Sequence, residues 1–190
     1  IDSNYSATYW PWIQVRDADN ATQLYLPPTG EVVKNIALTD NVSYPWFAPA
    51  GYSRGLVNAI KASKKLTLDE RDDLYKARIN PIATFSDTGT IIWGNKTLQK
   101  KPSALDRLNV RRLLISLKGF IGQVSRNLVF EQNTNATRNR FLAQVNPFLE
   151  SVVQRQGLYA YKVVMDDTNN TADVIDRNQL VGQIYIQPTK

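Results

Sequence analysis

Val110-Arg111-Arg112-Leu113-Leu114-Ile115-Ser116-Leu117-Lys118-Gly119-Phe120-Ile121-Gly122-Gln123-Val124-Ser125-Arg126-Asn127-Leu128 carries the strongest periodicity in the chain. Val110, Leu113, Leu114, Leu117, Ile121, Val124 and Leu128 fall at offsets 0, 3, 4, 7, 11, 14 and 18, so at ~100° per residue they share one face. The pattern predicts a long amphipathic helix at about 104–128 with its apolar stripe in a core, Ser103 as N-cap and Asp106 in the first turn. Arg107, Arg111 and Lys118, spaced by four and seven, lie along one flank of that helix. They predict a positive ridge, although long basic side chains also serve as solvated flanks with snorkelling stems. On the opposite side Leu108 and Ile115 form a second apolar strip with Arg112. A helix apolar on two sides lies deep in a fold or docks against another subunit.

Downstream, Thr134 is a cap for a second helix through Phe141, Val145, Phe148 and Val152 to Gly157, which Pro147 should kink or interrupt. Leu158 to Met165 and Leu180 to Gln187 read as strands of an antiparallel pair, joined by the Asn-rich stretch 166–178. Upstream, Tyr9 to Val15 and Thr22 to Leu26 read as strands around the turn 16–20, and a short helix is expected over about 30–39. Trp46 to Tyr52 reads as an aromatic loop, followed by a helix near Leu56 to Ala62. Thr67-Leu68-Asp69-Glu70 is a capping box for a helix ending near Ala77. Pro81 to Phe85 and Thr90 to Trp93 are β-rich runs around the turn 86–89. The fold class is α/β (α+β): mixed β-sheets packed with helices, the long helix, and the closing strand pair. The polar break at 100–103 separates an expected domain over 1–98 from one over 99–190.

The 190 residues include no cysteine and no histidine, which removes disulfides, thiolate nucleophiles, zinc–thiolate sites and every triad that uses an imidazole base. No Gly-x-Ser-x-Gly elbow, phosphate-binding loop or dinucleotide fingerprint occurs, so the reading is that of a non-enzyme with no catalytic residue, metal or cofactor. Asp167, Asn169 and Thr171 imitate the opening of a calcium loop, but Ala172 stands where Gly is needed and Asn178 where Glu is needed. A hydrogen-bonded turn is expected there. Asp72-Asp73 and Asp166-Asp167 read as solvated charge. No apolar run reaches the ~20 residues of a membrane span, so no membrane insertion is expected. The chain opens at Ile1 and has a single methionine, Met165, and is expected to be a segment of a longer, soluble polypeptide. Net charge is +6, and its distribution matters: residues 1–98 hold ten basic and ten acidic residues, whereas 99–190 hold thirteen and seven. The basic half suggests an acidic partner.

Six runs in order resemble the tail sheath proteins of contractile-tailed bacteriophages. They are Leu26-Pro27-Pro28-Thr29-Gly30, the run Ala48 to Gly55, Ile92 to Leu98, Leu108 to Leu114, Val129-Phe130-Glu131, and Asp167 to Thr171 followed by Val174 to Asn178. The resemblance implies a subunit of hexameric rings stacked around a tail tube, contracting to drive the tube through the host envelope. It implies that 1–98 is part of a central sheath domain with a subtilisin-like fold, in shape only, and that 99–190 is a C-terminal domain facing the tube. Neighbouring sheath subunits, the tube protein, the baseplate and the tail terminator would be its partners, with no direct nucleic-acid contact. Its place would be the virion tail, after assembly in the host cytoplasm. Arg107, Arg111 and Lys118 are then candidates to face the tube. Strands exchanged between neighbours would dock at Tyr159, Tyr161, Val163, Val181, Ile184 and Ile186, and Leu108, Arg112 and Ile115 would form a helix interface. Family members extend further at both ends and often carry Pro where this chain has Gln132. The rival readings are a basic nucleic-acid-binding domain, which would interleave aromatics with its basic cluster, and the sheath of a bacteriocin-type or secretion-type injector. All four tryptophans lie in the neutral half.

Overall fold

Ile82 and Ile92 face each other across a hairpin, each 0% exposed, at the centre of the first of two units. The computed structural model describes residues 1–190, which divide into Ile1–Leu113 with Lys190, and Leu114–Thr189.

The first unit holds two three-stranded sheets. In one, β1 (Thr8–Trp10) runs parallel to β5 (Ile79–Phe85), which pairs antiparallel with β6 (Gly89–Ile92). In the other, β2 (Ile13–Arg16) lies antiparallel to both β3 (Gln23–Leu26) and β4 (Lys61–Ala62). The run expected as one strand from Tyr9 to Val15 is thus split between sheets, because Pro11 has no N–H to continue a ladder. Three helices accompany them: α1 (Thr29–Val42), α2 (Gly51–Arg54) and α3 (Leu68–Lys76), the last opened by the reciprocal Thr67/Glu70 capping box. Ile13, Val32, Val57, Ile82 and Ile92 form the core. The helix expected near Leu56 to Ala62 is absent. Gly55, Val57 and Ala62 are buried while Leu56, Asn58 and Ile60 are exposed, an alternation that suits extended chain. Accordingly Val57 N–H donates to Thr90 O and Ile92 N–H to Gly55 O.

Asn80 stitches this unit together from position 0% exposed. Its amide donates to Thr8 O and Lys96 O and accepts from Lys96 N–H at 2.7 Å. Gly94 lies against it so closely that a Cβ there would stand 2.6 Å from Asn80 Oδ1 and 2.8 Å from its Cβ. That contact explains a glycine in the run Ile92 to Leu98.

The long helix, α4, spans Leu108–Arg126 and passes from the first unit into the second. It begins later than expected. Ser103 caps a 3-10 turn at Ala104–Asp106 instead, and Arg107 is extended because it bridges to Lys96. Val110, Leu113, Leu117 and Val124 are buried, as the periodicity requires. The second helix, α5 (Asn135–Gln154), starts at the Thr134 cap, whose side chain accepts from Thr137 N–H. It runs through Pro147 without interruption. Pro147 and Ala143 are both exposed, so water can take up the carbonyl that proline leaves unpaired. Its C-terminus closes with Gly157 N–H on Val152 O and Gln156 N–H on Val153 O, with Gln156 at φ 64°. Phe120 of α4 stacks on Phe148 of α5 with centroids 3.9 Å apart. The unit ends in a two-stranded antiparallel ribbon, β7 (Leu158–Val164) and β8 (Gln183–Pro188), joined through the short α6 (Ala172–Asp176).

Candidate assembly surfaces

The three cations expected as one exposed ridge are not equally accessible. Arg107 donates from Nη1 to the Tyr75 hydroxyl, and its Nε lies 3.6 Å from Asp106. Arg111 is only 6% exposed, with its guanidinium 4.1 Å from the Tyr5 ring centroid. Lys118 stands in solvent. Spacing placed them on one flank, but Tyr75 and Tyr5, distant in sequence, occupy the first turns of that flank. Lys96 joins the cluster, its Nζ 3.8 Å from the Tyr75 centroid, and burial followed by the charges of Arg107 and Arg78 holds its pKa below the usual lysine range. In the proposed helix strip, Leu108 is half-buried, Arg112 pairs with Asp40 of α1, and Ile115 is 51% exposed.

The ribbon is built on an alternation. Tyr161 pairs with Ile186 and Val163 with Ile184, and these four half-buried side chains share one face. Tyr161 hydroxyl donates to Asn146 O of α5 at 3.2 Å, seating that face on the helix. Tyr159, 67% exposed, sits where the register shifts between Leu158 and Ala160. Val181 precedes β8. With only two strands in the sheet, each has one edge of unpaired backbone groups, and such edges are templates for another strand.

One buried amide secures the connection. Asn170, 2% exposed, accepts from Val181 N–H at 2.8 Å and donates to Val181 O, while its Oδ1 also accepts from Asn133. Asn133 in turn accepts from Arg138 Nε, and Arg138 pairs with Asp167. The acidic run is a turn: Asp166 accepts from Thr168 N–H and hydroxyl, which lower its pKa, and Asn169 Nδ2 donates to Val164 O. No group of three or more metal-ligating side chains occurs, and no helix is long and apolar enough to cross a membrane.

Two features escaped sequence reading. Tyr52, Phe85 and Trp93 form an aromatic cluster with centroids 5.0–5.8 Å apart, capped by Arg71 at 5.1 Å from the Phe85 centroid. Tyr52 comes from α2, Phe85 from β5 and Trp93 from just beyond β6, so no local pattern announces them. The turn between α4 and α5 exposes Val129 at 60% and Phe130 at 103%. It borders a cavity of about 1100 Å³ whose walls include Leu128, Phe141, Met165, Gly182 and Ile184.

The phage tail sheath C-terminal domain family matches residues 100–190. Over the full chain, the tail sheath protein of Enterobacteria phage T4 is 39% identical and that of Vibrio phage KVP40 is 38% identical, the chain covering 28% and 27% of those proteins. The chain therefore spans little more than a quarter of the length of these curated relatives. Among solved structures, the sheath complex of the extracellular contractile injection system PVC in its contracted state superposes with a TM-score of 0.89 at 26% identity. That match covers 100% of this chain and 54% of the other. The contracted helical sheath of the anti-feeding prophage gives a TM-score of 0.87 at 26% identity, over 99% of this chain and 53% of that one. These likenesses show a phage tail sheath C-terminal domain over residues 100–190 and, over the whole chain, similarity to the tail sheath proteins of contractile-tailed phages.

Proposed function

We propose that this chain is the central and C-terminal part of the structural subunit of a contractile tail sheath, which polymerises as hexameric rings around a tail tube and contracts to drive the tube through the host envelope. The observation that carries the reading is the β7–β8 ribbon: two strands with two unpaired edges, inside the segment that matches the sheath domain. The ribbon is seated on α5 by one face, yet its two outer edges leave backbone groups unpaired, so strands supplied by neighbours would both complete the sheet and tie subunits together. Main-chain pairing suits a mesh that shortens without dissolving, because backbone hydrogen bonds survive as the domains they join reorient. Tyr161, Val163, Ile184 and Ile186 hold the ribbon in place, and Tyr159 and Val181 flank the docking edges.

Residues 1–98 would belong to the central domain and 99–190 to the domain facing the tube. Lys118 is the exposed one of the three ridge cations, with Arg107 and Arg111 available to an acidic tube only as their tyrosine contacts give way. Exposed Ile115, with Leu108 and Arg112, would meet a neighbouring subunit. The partners are copies of the same protein, the tube protein, the baseplate and the terminator, and the site of action is the virion tail after assembly in the host cytoplasm. The role is mechanical, with no catalytic step. Electron microscopy of the full-length protein, incubated with and without its tube, tests this: tubular polymers in long and short forms are expected, and a protein that stays monomeric at all concentrations and salt levels would overturn it.

A further inference from the structure

Arg111 and Arg138 are both buried arginines, 6% and 4% exposed, yet only one of them has a counter-charge. Arg138 pairs with Asp167 and donates from Nε to Asn133 Oδ1. Arg111 makes no ion pair, and its Nε is buried without a hydrogen-bond partner. A guanidinium taken out of water is costly unless a carboxylate or several acceptors meet it. What meets Arg111 is the ring of Tyr5, its centroid 4.1 Å from the guanidinium carbon. A ring face attracts the cation through its quadrupole but gives the Nε–H no acceptor.

Tyr5 is a cover and not part of the core, being 68% exposed in a stretch, residues 1–7, that forms neither helix nor strand. Three polar ties lay this stretch along residues 98–100. Leu98 N–H donates to Ser6 O at 2.9 Å, Asn4 Nδ2 to Gln99 Oε1 at 3.0 Å, and Lys100 N–H to Asp2 Oδ1 at 2.9 Å. Water can replace each of them, so the stretch can lift without opening the core of Ile13, Ile82 and Ile92. We infer that Arg111 is a carboxylate-binding residue kept in reserve beneath a strap formed by residues 2–6. With the strap down, Tyr5 covers the guanidinium. With it lifted, the planar fork of Arg111 takes both oxygens of a carboxylate on a partner protein's surface, which the ring cannot imitate. The inference deepens the sheath reading and rests on it, since the tube and neighbouring copies are the surfaces that reading provides. Affinity for the partner is reduced by the fraction of subunits whose strap is down, which makes the strap a brake on docking.

The test labels the arginines of the full-length protein with phenylglyoxal and follows Arg111 by mass spectrometry. In the unassembled subunit Tyr5→Ala should speed Arg111 labelling by at least about tenfold, and Tyr5→Phe, which keeps the ring, should leave it at the wild-type rate. Equal rates in wild type and Tyr5→Ala overturn the strap. In parallel, Tyr5→Ala should tighten binding by about tenfold either in co-sedimentation with the tube or in tube-free self-assembly, and the arm that gains identifies which surface carries the carboxylate. Adding Arg111→Gln to Tyr5→Ala should cancel the gain. A gain that survives Arg111→Gln, or no gain in either arm, overturns the inference. Asp2→Ala with Asn4→Ala cuts two ties and leaves the ring in place, so it should give a smaller gain in the same direction and keeps the test decisive if Tyr5→Ala disturbs folding. Failure of the wild type to assemble in both arms would sink the sheath reading, while the labelling comparison would still decide the strap.

Discussion

Asn80 in the first unit and Asn170 in the second are both buried amides that bind backbone groups from separate segments, yet they secure very different structures. Asn80, in β5, ties β1 to the 94–97 loop, in a unit whose core residues Ile13, Ile82 and Ile92 come from both sheets. Asn170 holds the entry to a ribbon that has only two strands and rests on α5 through one face. The first unit draws cohesion from sheets and core together. The second also buries apolar residues, Phe141, Val145, Leu149, Val152 and Leu158 among them, but its sheet has only two strands and their connection is held by polar ties. The difference leaves open sheet edges in the ribbon, which is where the proposed function would seat a neighbour's strand.

Substitutions can break or sharpen this contrast. Gly94→Ala should have the largest effect, because the added Cβ collides with both Asn80 Oδ1 and Cβ. It should destabilise the first unit by ~3 kcal/mol in chemical unfolding. An unchanged midpoint would mean that Asn80 is not the tie described. Asn170→Ala removes the partner of Val181 N–H and O and should cost ~2–3 kcal/mol. Amide exchange should quicken in β7 and β8 and stay slow in β5 and β6; uniform loosening would erase the distinction between the units.

Tyr9 supplies a pH test confined to the first unit. Burial pushes its phenol up to about 12 from 10.0, with Arg112 opposing in part, and its hydroxyl has no hydrogen-bond partner. The folded protein keeps a proton that the unfolded chain releases, so this contribution is intact below pH 10 and disappears as pH rises towards 12, by ~2 kcal/mol. Tyr9→Phe should abolish that alkaline loss; a slope identical to wild type would assign it elsewhere. The smallest effect belongs to Lys118→Glu. Monomer stability should move by less than ~0.5 kcal/mol, whereas assembly on the tube should weaken with a salt dependence. Unchanged assembly across salt concentrations would remove Lys118 from the tube contact.

What the sequence made legible follows the range of the forces involved. The α4 stripe and the Thr67 and Thr134 caps are set by neighbours within a few turns, and they were readable, as were the two closing β-rich runs from their own composition. Leu56 to Ala62 misled because its apolar spacing suits a helix, while pairing with Thr90 and Ile91, far along the chain, draws it out as extended chain. The basic ridge is uneven for the same reason: Arg111 is buried against Tyr5 and Arg107 is tied to the Tyr75 hydroxyl, and helix spacing carries no information about either. Phe130 could be quoted as part of a motif, but its full exposure depends on a turn whose geometry no periodicity encodes.

Amide hydrogen exchange on the full-length protein, compared between monomer and assembled tubes, bears most directly on the claim that the ribbon is completed by neighbours. Outer-edge amides of Gln183–Pro188 and Leu158–Val164 should slow by at least about tenfold on assembly, with the β5–β6 hairpin little changed. Equal exchange of the ribbon amides in the two states would contradict the account.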